Sequence, residues 1–145
     1  MKDLQQMTGL EYFEAMVRGE IPHAAIAALI PMRFIAAEHG YIRLVAHADA
    51  RHTNPYGPVH GGFAATVLDS AGACAVQAAL AAGVGSTTID LHVKYLRPVP
   101  QDTPMIGEAR VTNLSRRLGL ADATLKDEAG KLYATACVTC MILRD

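Results

Sequence analysis

Apolar positions change their spacing along this chain, and each change marks a different element. Behind Thr8-Gly-Leu-Glu11, which has the form of a capping box, Leu10, Phe13 and Val17 recur at helical spacing with Tyr12 and Met16. That predicts a short helix ending near Gly19. An Ala-rich segment from Pro22 to Leu29 has room for another turn or two. Met32–Glu38 and Tyr41–Ala48 then read as extended runs about a His39-Gly40 hairpin turn. Residues 49–59, with Asn54-Pro55 and Gly57-Pro58, suit neither helix nor strand and predict an ordered loop. From Gly61 to Ala82 almost every residue is small or apolar, a helix closed by Gly83-Val-Gly85. After it the pattern is β to the end. In Thr87–Leu96, Ile89, Leu91, Val93 and Tyr95 alternate with Asp90, His92 and Lys94, the mark of a half-buried strand, and Pro98 and Pro100 stop it. Thr103–Asn113, Leu118–Lys126 and Lys131–Leu143 are three more strands, the last two joined by the turn Asp127-Glu-Ala-Gly130.

The order β-β-α-β-β-β-β with one long apolar helix is an α+β arrangement. An antiparallel sheet wrapped around the helix buries it with the elements at hand. Residues 1–30 form an N-terminal helical extension and 31–145 one domain, as expected of a chain of 145 residues. The Gly61–Ala82 run nears the length of a membrane span. It contains Asp69, Ser70 and Gln77, however, and Ala where Leu or Ile would be expected, so it reads as a buried helix of a soluble protein.

Composition narrows the function by exclusion. The formal net charge is −1, no basic cluster exceeds Arg116-Arg117, and there is no Trp, which argues against a nucleic-acid surface. The first residues contain no apolar stretch resembling an export signal, and the three cysteines are odd in number. Reduced thiols in the cytoplasm are the expectation. Cys137-Val-Thr-Cys140 falls on a strand, where residues three apart face opposite ways, so it reads as two packed small hydrophobes and not as a redox or metal pair. His23, His39, His47 and His52 fit no metal spacing, and His92 with Asp90 reads as a polar sheet face.

Chemistry concentrates at Asn54-Pro-Tyr-Gly-Pro-Val-His60-Gly61-Gly62 and the helix behind it. Gly61 and Gly62 bare the backbone where the helix begins, and the first N–H groups of a helix have no partner within it. With the positive end of the helix dipole they suit a developing oxyanion, for which Gly62 is the expected donor. His-Gly-Gly also precedes oxyanion holes in lipase-like hydrolases, but those need a G-x-S-x-G elbow, and Ser70 lies in Leu-Asp-Ser-Ala-Gly. Asp69 shares a helical stripe with Gly62, Ala65, Thr66, Gly72, Ala73 and Val76, whose small residues leave space for a ligand or another backbone. Withdrawn from water, it suits a general base or nucleophile. Seven residues separate Gly62 from Asp69, roughly 10 Å along a helix. A carbonyl held at the helix start is too far from the same chain's Asp69, whereas an antiparallel copy of the helix brings one chain's Gly62 beside the other's Asp69 in a symmetric dimer. His60 either orients a substrate carbonyl or bonds the loop backbone. Asn54 either holds a water or ties its own turn. Arg116 and Arg117 either grip a phosphate or are simply solvated.

The spacing N-x-x-G-x-x-H-G-G with an Asp nine residues after the His, together with Thr88-Ile-Asp-Leu and Tyr95-Leu-Arg-Pro98, resembles the hotdog-fold acyl-CoA thioesterases of the PaaI-like, phenylacetate-degradation branch. The likeness spans about Met32 to Leu143. It implies an antiparallel sheet around a central helix, paired into a homodimer and often a homotetramer, and hydrolysis of an acyl-CoA thioester without metal or cofactor, coenzyme A being part of the substrate. It implies further that the Gly62 N–H polarises the thioester carbonyl, with Gly61 beside it, while Asp69 of the facing subunit activates water or attacks directly. Asn54 would position water or substrate, His60 would support the turn and the carbonyl, and Thr88 stands where relatives often carry Ser. Arg116 or Arg117 would lie near the nucleotide, and the first thirty residues would cover the acyl pocket. Two other readings differ in class: a hotdog dehydratase or hydratase working on the acyl chain, and a non-catalytic acyl-CoA-binding module.

Overall fold

A computed structural model of the chain describes residues 3–144. Helix α1 (Gly9–Val17) starts with the capping box read from the sequence: Thr8 accepts from the Glu11 N–H, and the Glu11 carboxylate accepts from the Thr8 N–H at 2.8 Å. The Ala-rich segment yields only the single turn α2 (Ile26–Leu29). Strands β1 (Met32–Glu38) and β2 (Tyr41–His47) form the expected hairpin, with Gly40 in the left-handed region at φ +70°. Helix α3 (Gly61–Gln77) is followed by β3 (Gly85–Tyr95), β4 (Pro104–Leu114), β5 (Leu118–Asp127) and β6 (Leu132–Leu143). Predicted strand ends agree within two residues.

All six strands pair antiparallel in one sheet, in the order β1-β2-β4-β5-β6-β3. The strand that follows the helix therefore crosses to the far edge and leaves one flank unpaired. Helix α3 lies across the sheet and buries Phe63, Ala64, Val67, Leu68, Ala71, Gly72, Ala75 and Val76 against Leu44, Met105, Leu125 and Val138. Each large aliphatic side chain so buried contributes about 1.5–3 kcal/mol. Two glycines set the approach. A Cβ on Gly72 would stand 2.4 Å from Val138 Cγ2, and one on Gly119 2.4 Å from Val76 Cγ1, so helix and sheet touch closer than side chains on both would allow.

Three expectations need correction. Helix α3 stops at Gln77 and not near Ala82, although Ala78, Ala79, Ala81 and Ala82 are good helix formers. Tertiary contacts override propensity there. Gly9 packs on the Gln77 carbonyl and donates its N–H to Leu80, while the Gln77 side chain donates to the Val84 carbonyl and accepts from Ser86. The extension is also no mere cover for a pocket: Phe13, Ala15 and Met16 of α1 belong to the same core as the sheet. Finally, Cys140 is buried as expected, but Cys137 is exposed on the outer sheet face, where its thiol donates to Asp122 at 3.3 Å.

Candidate active site

The loop before α3 is tied at every turn. Asp49 accepts from the Arg51 N–H and guanidinium, bonds that hold its carboxyl well below the usual carboxylate range. His52 is buried. Its Nδ1 accepts from the Asp49 N–H and its Nε2 donates to the Leu29 carbonyl at 2.6 Å, which fixes the tautomer and fastens the extension to the loop. Its ring packs on Phe63, with centroids 5.3 Å apart, and its own carbonyl accepts the His60 N–H at 2.7 Å. Asn54 ties its own turn: its Oδ1 accepts from the Tyr56 N–H at 2.8 Å, an Asx-turn, while its backbone bonds Pro58 and Gly57. Its amide nitrogen remains as a donor.

At the helix start the four N–H groups that lack helical partners are accounted for one by one. The His60 N–H goes to His52, the Phe63 N–H to the His60 carbonyl, and the Gly62 N–H to His60 Nδ1 at 2.8 Å. Only the Gly61 N–H has no partner among the described residues. The sequence reading named Gly62 as the oxyanion donor; in this structure the imidazole of His60 occupies that donor, and the spare N–H belongs to the preceding glycine. Because Nδ1 accepts, the proton of the neutral ring sits on Nε2, on an exposed side chain. His60 is thus the N-cap of α3.

Asp69 lies two turns further on, half-buried, with its Oδ1 accepting from Thr88 Oγ1 at 2.9 Å. The stripe around it is displaced from the predicted one. Gly72 and Val76 face the sheet, and the face the single chain leaves half-covered carries Gly62, Ala65, Thr66, Asp69 and Ser70. Behind Asp69 the Cys74 thiol is pushed up to about 12, first by burial and then by the nearby Asp69 charge, and so stays protonated. Cys140 Sγ stands 3.9 Å from Thr88 Oγ1.

The half-covered helix face borders the unpaired edge. Strand β3 has a bulge at Ile89, between the pairs Thr88–Cys140 and Asp90–Thr139. Before the bulge Thr88 faces the helix, and after it Leu91, Val93 and Tyr95 do. The sequence predicted burial of the Ile89, Leu91, Val93 and Tyr95 face. In the single chain Ile89 is 50% exposed, Leu91 36% and Tyr95 56%. An edge strand with such a face calls for cover.

Arg116 and Arg117 are exposed at the tip of the β4–β5 hairpin. Gly119, just beyond them, packs on Val76, fifteen residues after Gly61 in the chain, roughly 22 Å along the helix. One chain does not bring these arginines to its own Gly61. Two residues at the site escaped the sequence reading. His52 carries no spacing signal, and Tyr95, whose hydroxyl donates to the Gly61 carbonyl at 3.0 Å, was read as a packed strand residue and part of the family-like Tyr95-Leu-Arg-Pro98, with no role at the site. Among the described residues no cluster of His, Cys, Asp and Glu has the makings of a metal site, and no helix is long and apolar enough to cross a membrane.

This geometry, a sheet curled about one helix with a free N–H at its start and a carboxylate on its open face, is that of the hotdog fold. Residues 56–134 match the model of the thioesterase superfamily. The phenylacetic acid degradation-related protein of Ralstonia eutropha superposes with a TM-score of 0.80 at 34% identity, covering 90% of this chain and 98% of that one. A thioesterase family protein from Silicibacter pomeroyi gives 0.80 at 26%, covering 92% and 99%. Human acyl-coenzyme A thioesterase 13 is 26% identical over 69% of this chain and 71% of its own length. The chain belongs to the thioesterase superfamily and is a thioester hydrolase.

Proposed function

We propose that the protein hydrolyses an acyl-CoA thioester to the free acid and coenzyme A, in a dimer whose two sites each draw on both subunits. The observation that carries this reading is the separation of the two chemical groups: Gly61 with its spare N–H and Asp69 are eight residues apart on one helix, roughly 12 Å. A thioester carbonyl polarised at Gly61 is out of reach of that chain's Asp69. An antiparallel second copy on the open α3 face and the β3 edge brings the partner's Asp69 to it and covers Ile89 and Leu91.

The chemistry then balances without a cofactor. As a base, Asp69 takes a proton from water while the water oxygen adds to the carbonyl carbon, and the oxyanion gathers on the Gly61 N–H with the helix dipole behind it. Collapse breaks the C–S bond, and the departing thiolate of coenzyme A takes up the proton. As a nucleophile, Asp69 forms a mixed anhydride that water opens. Both routes need the Asp69 oxygen that Thr88 leaves free. The Asn54 amide nitrogen would steady the water, and Arg116 and Arg117 would meet the nucleotide phosphates of the site completed by their own Asp69. A hydratase would want a histidine paired with an acidic residue to move protons at the acyl chain, whereas His60 turns its Nδ1 to the Gly62 N–H of its own helix. Three free cysteines and an acyl-CoA substrate suit the cytoplasm.

Thiol release from a panel of acyl-CoA thioesters tests the reading. Because the Ralstonia eutropha relative is named for phenylacetic acid degradation, phenylacetyl-CoA heads the panel. Turnover on one or more esters is expected. Tight acyl-CoA binding with no thiol release from any ester would make the protein a binding module.

A further inference from the structure

Tyr95 ends the edge strand β3, yet it is not loosely held. Its strand pairs it with Ala134, and the two N–H groups that follow, of Leu96 and Arg97, both donate to the Tyr133 carbonyl, at 2.9 and 3.1 Å. From this anchored point its ring reaches across to the start of α3. The hydroxyl donates to the Gly61 carbonyl at 3.0 Å, using an oxygen lone pair the helix does not need. The ring fills the space beside Gly61 where a side chain would go: a Cβ there would meet Tyr95 ring atoms at 3.2–3.3 Å. The residue that owns the spare N–H is therefore gripped by a side chain from a different element.

The same ring is a wall of a pocket of about 350 Å³, which opens at Gly61 and is bounded by His60, Ala64, Pro98 and Val99. That is near the lower end for small-molecule pockets. Its walls are mostly apolar: the polar members are the His60 ring and Arg97, whose guanidinium donates to the Leu132 carbonyl, and the Tyr95 hydroxyl is turned to the backbone.

Resting on the thioesterase reading above, we propose that Tyr95 is a positioning residue for the Gly61 peptide and the wall that sets the size of the acyl group. A thioester carbonyl on the Gly61 N–H directs its acyl substituent into this pocket, between the Tyr95 ring and Ala64. The pocket selects a compact, apolar acyl group, a single ring or a few carbons. Catalysis by a preorganised donor tolerates displacements of only about half an ångström, so losing the grip on Gly61 lowers turnover even where binding is kept.

Two variants separate the roles. Tyr95→Phe keeps the ring and removes the hydrogen bond. Its kcat is expected to fall roughly two- to tenfold, the scale of one neutral hydrogen bond, with KM and the ranking of esters unchanged and the melting temperature lowered by only a few degrees. Tyr95→Ala opens the pocket and is expected to shift the preferred acyl group toward longer or two-ring esters. The same acyl series as non-hydrolysable thioether analogues, followed by calorimetry, reads the size preference without turnover. Native kcat in Tyr95→Phe together with an unchanged acyl ranking in Tyr95→Ala overturns the proposal while leaving the thioesterase reading standing. A size shift in analogue binding with no thiol release from the native protein supports Tyr95 as the wall and defeats the thioesterase reading instead.

Discussion

Thr88 on the edge strand donates its hydroxyl proton to Asp69 on the central helix at 2.9 Å. The bond leaves the second carboxylate oxygen of Asp69 aimed from the open face of α3, and it holds the helix to the strand beside a site that a second copy of the chain would complete. The methyl of threonine does not prevent this bond.

Removing that hydroxyl while keeping the shape, Thr88→Val, is expected to lower kcat roughly ten- to a hundredfold, because a hydrogen bond to a charged group is worth about 1.5–3 kcal/mol. Thr88→Ser should keep near-native turnover. Steady-state kinetics on both variants check this, with KM moving little in either.

The helix–sheet approach at Gly72 makes a stability prediction apart from chemistry. Gly72→Ala drives its methyl against Val138 and is expected to cost about 1–3 kcal/mol in denaturant unfolding. Adding Val138→Ala should recover part of that loss. Costs that merely add would show that the contact does not set the approach.

His23 joins the extension to β1: its Nε2 accepts from the Phe34 N–H at 3.0 Å, and its ring stacks on Phe34. Burial, then repulsion from Arg33, lowers its pKa below the ordinary 6.5. The neutral ring is the folded form, so this contribution is complete above the unfolded value and is lost as pH falls through the folded one. Melting temperature should drop as pH is taken from 7.5 to 5, and drop less in His23→Gln. Equal slopes for the two proteins would remove His23 from the account.

A two-subunit site allows complementation. Gly61 is the first residue of α3, where proline is well tolerated, and His60 before it is already extended at ψ 138°. Gly61→Pro therefore deletes the spare N–H while keeping the helix start, its ring pressing on Tyr95, which must give by a few tenths of an ångström, and should lower kcat about a hundred- to a thousandfold. Mixed and exchanged one-to-one with Asp69→Asn, it should regain about a quarter of native activity, since half the dimers then hold one intact site. No recovery, with exchange shown by mass, would place both groups in one chain.

Much of this was legible in the sequence because periodicity and turn chemistry state it directly. The capping box at Thr8, the order of strands and the buried helix all follow from patterns that local physics enforces. What was illegible depends on pairing across the fold. Strict alternation in β3 puts Thr88 on the side of Asp90 and His92, and only the bulge at Ile89 turns it toward Asp69. The spare donor was placed at Gly62 because a sequence does not show where the His60 ring turns. Helix α3 ends early at Gln77 through the approach of Gly9, nearly seventy residues away in the chain. The stripe around Asp69 shifted for a similar reason, since Gly72 and Val76 answer to Val138 and Gly119 on the sheet.

The most direct test of the central claim is thiol release from acyl-CoA esters by Asp69→Asn beside the native protein, with folding and dimerisation followed on the same samples. The account predicts native turnover that falls by at least a hundredfold in the variant, the usual scale for a lost general base, with the dimer intact. Turnover undiminished in Asp69→Asn would move the chemistry off Asp69 and contradict the account.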